Sequence, residues 1–437
     1  MTERLLQYIW QHQYYNHREL MTTGEVPEPC AIISPGTYNT NQGPDFLGGR
    51  VRIGERLWAG NIELHVKASE WFIHGHQHDH NYNNVILHVV WENDLKDQAF
   101  HLPMIELSAR VPRVLLQQYE EWMMGTTNIP CSSAIASVNE LVWMKWKETL
   151  VIERLQSKTK QILDYLAESK NHWEEVFWWM LARNFGITVN KEVFEAVARS
   201  LPSTIIARHR SNPHQVEAML FGQANLLGGK ASGDYHTLLK KEYRFLKKKY
   251  DLSTVFAPVH FLRMRPVNFP TIRLAQLSVL MTYAEHLFSK ILSLTQLAEL
   301  KKIFDVTAGD FWHYHYRFGE TSCYQPKKLG EQMIDTIIIN TVVPMVFVYG
   351  QYHQDEILRD KALYWLDLLG AEKNRITTRF YGFGIKSVNA FDTQSLYQLK
   401  TSYCDQKRCL ECAVGNFILS GNDYQPGKDQ LSVGIKQ

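Results

Sequence analysis

The chain has 437 residues and a mass of 50.9 kDa, room for two or three domains with sizeable cores and too much for a single small module. It is 45% hydrophobic and 21% charged, with 12 Trp, 21 Tyr and 20 Phe, which excludes a disordered chain. The net charge of +2 excludes a polycation or polyanion acting by bulk charge, yet residues 1–125 carry nine Lys/Arg against fifteen Asp/Glu, leaving that part at −6 and the remainder at +8.

In chain order, a helix is predicted from Thr2 to about Gln13. Glu3, Gln7 and Gln11 interrupt its apolar residues and no signal-peptide pattern follows. Short alternating runs rich in β-branched and aromatic residues predict strands at 45–53, 56–59, 61–67 and 85–91, separated at Gly54, at Gly60 and by the polar stretch Gly75 to Asn84. A strand and a short helix over 103–123 complete an α+β domain, assigned to 1–125.

Beyond Ile129-Pro130-Cys131 the texture changes to long 3.6-residue periods. Ser137 with Glu140, and Asn171 with Glu174, read as capping boxes opening helices to about Ser169 and to Gly186. Further helices are predicted at 190–200, 214–227, 235–250, 271–290, 294–304, 329–350, 354–369 and 391–403, with no strand from 137 to 420. This gives a large all-α domain over 126–420 and a polar tail at 421–437. The apolar run Thr336 to Tyr349 holds Asn340 and Pro344, is too short to cross a bilayer of about 30 Å, and reads as a buried helix. No membrane partner is expected. Six cysteines in a chain of this length do not form a secreted disulfide framework, so a reducing cytoplasm is predicted.

Two segments carry the chemistry of the first domain: Asn41-Gln-Gly-Pro-Asp45-Phe46 and Gly60-Asn61-Ile-Glu63-Leu-His65-Val-Lys67. In a strand alternate residues share a face, so Asn61, Glu63, His65 and Lys67 line up opposite Ile62, Leu64 and Val66. The turn at Gly54-Glu55 brings Asp45 beside Glu63. Two carboxylates with a nitrogen base form the minimum for metal-assisted phosphodiester hydrolysis, with Mg or Mn held by Asp45 and Glu63 while His65 orients water and Lys67 offsets phosphate charge. Glu3 or Glu19 on the opening helix could add a third acidic ligand. If these residues bind nothing, Pro44-Asp45 is a turn and the rest a solvated sheet face.

Pro44-Asp45 followed by Glu63-x-His65 resembles the motif of the PD-(D/E)xK nuclease superfamily, with His65 where that superfamily usually has Lys; branches similar to very short patch repair nucleases also carry Glu-x-His. The resemblance implies a restriction-endonuclease-like domain, a small mixed sheet with helices, and hydrolysis of DNA or RNA. The alternative is a non-catalytic nucleic-acid-binding or scaffold protein on a degenerate nuclease fold. The tract His74-Gly-His76-Gln-His78-Asp79-His80, with His88 on the next strand, supplies secondary candidates for metal or phosphate at His74, His76, Asp79 and His88, while His78 and His80 read as solvated loop residues. The chain as a whole resembles a bacterial family of unknown function, domain of unknown function 2851. That resemblance rests on Gly43-Pro-Asp-Phe46, Trp58-Ala-Gly-Asn-Ile-Glu-Leu-His65, Ser69-Glu-Trp71, Asn84-Val-Ile-Leu-His-Val-Val90, Phe221-Gly-Gln223, Arg265-Pro-Val-Asn-Phe-Pro-Thr-Ile-Arg273, Ile339-Asn-Thr-Val-Val-Pro344 and the cysteine cluster.

Cys404-x4-Cys409-x2-Cys412 places three thiols close enough to share one centre, an iron–sulfur cluster or zinc, and Cys131 is the expected fourth ligand. Between 240 and 273, Lys247, Lys248, Arg263, Arg265 and Arg273 stand among aromatic residues in the pattern of a nucleic-acid-binding stripe. In the 240–250 segment the lysines equally suit the solvated face of an ordinary helix.

Overall fold

The computed structural model describes residues 1–24, 26–95, 100–229, 233–262 and 264–421. The expected tail at 421–437 lies outside them except for Gly421, as does Arg263. The chain forms two compact units, one of residues 1–146 and 399–437, the other of residues 147–398. The shift in sequence texture at 125 therefore does not coincide with a unit boundary, and the cysteine-bearing segment after 398 belongs with the N-terminal part.

The first unit opens with α1 (Glu3–Gln11), whose first turn is capped by Thr2 accepting the Leu5 N–H. Its mixed sheet is built from β1 (Cys30–Ser34), β2 (Thr37–Tyr38), β3 (Phe46–Ile53), β4 (Arg56–Lys67), β5 (Val85–Glu92) and β6 (Met104–Glu106). The order is β1-β3-β4-β5-β6, with β2 paired to β3. β3 runs antiparallel to β1 and β4, whereas β4, β5 and β6 are parallel. A parallel step needs a crossover, and the one from β4 to β5 is made by α2 (Glu70–Ile73) and two 3-10 turns, His76–His78 and His80–Tyr82. After β6 comes α3 (Arg113–Met124), and α4 (Glu140–Glu168) runs from the end of this part of the chain into the second unit.

Strands predicted at 56–59 and 61–67 are one strand of 12 residues. Gly60 does not break it, because the missing side chain makes room for the neighbouring strand: a Cβ there would stand 2.5 Å from Ile86 Cγ2 and 2.6 Å from Asn84 O. The polar face of β4 is also not solvated, since Glu63 and His65 are only 5% and 1% exposed.

The second unit is helical around one large core that includes Phe177, Trp178, Phe194, Phe221, Trp312 and Trp365. A two-stranded hairpin, His315–Arg317 with Glu320–Thr321, corrects the expectation of no strand. The helix predicted over 271–290 is two helices, Pro270–Tyr283 and Leu287–Ser293, broken where His286 takes a left-handed φ of 42°. Caps differ too: α4 is capped by Asn139 accepting the Leu141 N–H at 2.7 Å, not by Ser137. His172, not Asn171, accepts the Glu175 N–H of the next helix. The run Glu331–Tyr352 has a mean hydropathy of 1.6 over its most apolar window and 78% of that window is buried inside the fold, as for a core helix.

Candidate metal centre

The register of the sheet assembles the site. Phe46 pairs with Ile62, so Asp45, one residue earlier, falls beside Glu63, and Glu63 pairs with His88 across the parallel step. Asp45, Glu63, His65 and His88 consequently share one face. The loop before Asp45 is held by Asn39, whose N–H donates to Asp45 O at 2.7 Å and whose side-chain amide donates to Pro44 O at 2.9 Å.

Each carboxylate clamps the other's backbone. Glu63 Oε2 accepts the Asp45 N–H at 3.0 Å and Asp45 Oδ2 accepts the Leu64 N–H at 3.1 Å. Gln7 of α1 donates to Asp45 Oδ1 at 2.8 Å and to Glu3 Oε1 at 3.2 Å, which ties Glu3 to the same acidic group. Glu19 does not join it; this residue is exposed, and its carbonyl accepts from Arg110. Gln7 escaped the sequence reading, although its spacing of four from Glu3 puts both on one side of a helix whose residues 5 to 10 are all buried.

The crossover swings His74 and His76 over β4. His65 Nε2 lies 3.1 Å from His74 Nδ1 and 3.7 Å from Glu63 Oε1, and His76 Nε2 lies 3.4 Å from the same Glu63 oxygen. One ligand atom each from His65, His74 and His76 fits within 4.8 Å. Behind them His65 Nδ1 meets His88 Nε2 at 2.9 Å, the outer-sphere contact that fixes a ligating imidazole when its Nδ1 carries the proton. Trp71 and Tyr82 wall the site, Tyr82 stacking on His76 at 3.8 Å between ring centroids. His65 is buried, His76 half-buried and His74 exposed, so the cluster opens to solvent on the His74 side.

Burial dominates the electrostatics of the cluster. Burial, then the Asp45 charge, drives Glu63 well above the usual carboxylate range, and burial raises Asp45 against the hydrogen bond from Gln7. Burial and the neighbouring imidazoles drive His65 far below the ordinary histidine value, and His88 and His76 shift the same way. His76 Nε2 is buried without a hydrogen bond. Three donor pairs, His65–His74, Glu63–His65 and Glu63–His76, lie 3.1–3.7 Å apart, near the spacing of about 3.3 Å that bonds of about 2.0–2.1 Å at tetrahedral angles give, while the three imidazoles lie within 4.8 Å of one another.

Other expected residues fall elsewhere. Lys67 is exposed at the end of β4, where its charge acts on Asp94, and Asp79 caps the second 3-10 turn by accepting the Asn81 N–H at 2.9 Å. In the second unit, Lys248 and Arg265 are exposed, whereas Lys247 donates to Thr254 Oγ1 at 2.7 Å. Arg273 is 7% exposed and donates to Gln276 Oε1 and Asn268 Oδ1, which corrects its assignment to a surface that meets phosphate.

The family model described as "Protein of unknown function (DUF2851)" matches residues 3–375, and the chain belongs to that family. The match includes the whole candidate centre and ends before Cys404. No curated protein and no solved structure matches the chain.

Proposed function

We propose that the first unit is a metal-dependent nuclease, in which Glu63, His65, His74 and His76 hold a divalent ion beside Asp45. The observation that carries this reading is the convergence of three imidazoles within 4.8 Å of one another, with Glu63 Oε1 at 3.7 Å from His65 and 3.4 Å from His76, whose Nε2 is buried and makes no hydrogen bond. Three nitrogen donors favour Mn, Fe or Zn over the Mg that two carboxylates alone suggest. The Pro44-Asp45 and Glu63-x-His65 spacing, set in a mixed sheet with helices, supports the restriction-endonuclease-like reading, and the basic residues Lys248 and Arg265 support nucleic acid as substrate.

A bound divalent ion supplies Lewis acidity and a water activated near neutral pH. The chain's own part is to position and to neutralise. Asp45 keeps negative charge beside the ligands and, through its bond to the Leu64 N–H, fixes the backbone of Glu63. His88 orients His65, and Trp71 limits water from the buried side. The exposed edge at His74 leaves a phosphodiester its approach.

Labelled single- and double-stranded DNA and RNA, incubated with the full chain and Mn, Zn or Mg, give the test. Cleavage is expected with Mn or Zn, and should fall by more than about 100-fold in Glu63→Gln and Asp45→Asn, beyond the range for outer-sphere partners alone. Both substitutions keep an oxygen to accept the backbone N–H, and circular dichroism of each variant checks that it is folded. Absence of cleavage with any metal, or cleavage unchanged in both variants, overturns the reading.

A further inference from the structure

A second cluster in the same unit is built from thiols. The chain leaves a π-helical turn, Leu399–Cys404, passes through a 3-10 turn, Cys409–Glu411, and reaches Cys412 as the N-cap of the helix Ala413–Leu419. Cys131 comes from a turn 273 positions before Cys404, in which the Ala134 N–H donates to Cys131 O at 3.0 Å. Cys131, Cys404, Cys409 and Cys412 line one pocket, completed by Ile135, Leu399, Tyr403 and Val414. All four are buried, at 5–9% exposure, and none forms a disulfide. Gly415 lets the final helix approach, since a Cβ there would stand 2.2 Å from Cys409 O.

We propose that Cys131, Cys404, Cys409 and Cys412 ligate an iron–sulfur cluster that pins the C-terminal segment to the N-terminal unit. This goes beyond the hydrolytic reading and does not depend on it. The packing of thiols decides between zinc and a sulfide-bridged cluster. A single zinc at about 2.3 Å from each sulfur holds its thiolates about 3.8 Å apart. Among the described residues, only the three imidazoles bring three ligand atoms within 4.8 Å of one another; no three of the four thiols come that close, as expected of sulfurs bound to different irons of one cluster rather than to a single zinc.

The full chain, purified anaerobically, is assayed for iron, zinc and acid-labile sulfide together with its visible absorption. The expected result is iron and sulfide in equal amounts with a visible band, both lost in Cys409→Ser and Cys131→Ser and both kept in Cys323→Ser, whose thiol is exposed. Oxygen that bleaches the band should also open the 399–421 segment to protease. If a Ser variant fails to fold, the wild-type stoichiometry decides alone. Zinc without sulfide, a metal-free chain, or sulfide retained in Cys131→Ser overturns the proposal.

Discussion

Glu63 and His65 show how much a single residue's setting decides. Their alternation with Ile62 and Leu64 was readable from a period of two, and so was their shared face with Asp45. What the period does not contain is depth: His74 and His76 cover that face only because the β4 to β5 step is parallel and needs a crossover, so a solvated face became a buried one. Gly60 illustrates the same gap, since its sequence context marks a break while its actual role is to admit Asn84 and Ile86. Gly60→Ala should therefore destabilise the first unit by about 1–3 kcal/mol through forced separation of β4 and β5. Chemical denaturation checks this, and a stability within about 0.5 kcal/mol of wild type would remove the close-approach argument.

At the scale of elements, long helices were legible from periodicity and their ends were not. The stop at Gly186 and the start near Pro270 are local signals, whereas the break at Ala284–His286 depends on a left-handed backbone that no residue type there demands. Side-chain networks between helices are equally silent in sequence. Glu195, on the helix Ile187–Arg199, accepts from Tyr165 at 2.6 Å, from Arg199 at 2.9 Å and from Arg183 at 2.5 Å. Burial pushes its pKa up, but these three donors outweigh burial and hold it below the usual glutamate value. A depressed folded-state pKa contributes stability that is present above the unfolded value, about 4.3, and is lost as pH falls through the folded one. Acid melting of the wild type should thus lose stability over that window, and Glu195→Gln should flatten the loss while costing about 1–3 kcal/mol near neutral pH. An unchanged acid slope in the variant would contradict the assignment.

Over the whole molecule, an α+β part followed by a helical part was legible, because strand and helix periods differ and the composition shifts near 125. The return of residues 399–421 to the first unit was foreshadowed by thiol spacing alone, as nothing else in that segment distinguishes it from the helical texture before it. The two candidate centres, one of imidazoles and carboxylates and one of thiols, differ in the ions they take, and that difference makes the central claim separable. Mn added to the full chain and followed by the paramagnetic resonance of the free aqueous ion reads the first centre without the second, since thiolates disfavour Mn. The account predicts that wild type silences the signal of about one Mn per chain, and that Glu63→Gln and His74→Ala each weaken binding by at least about tenfold. A free-Mn signal undiminished by the wild-type chain, or binding as tight in both variants as in wild type, would contradict it.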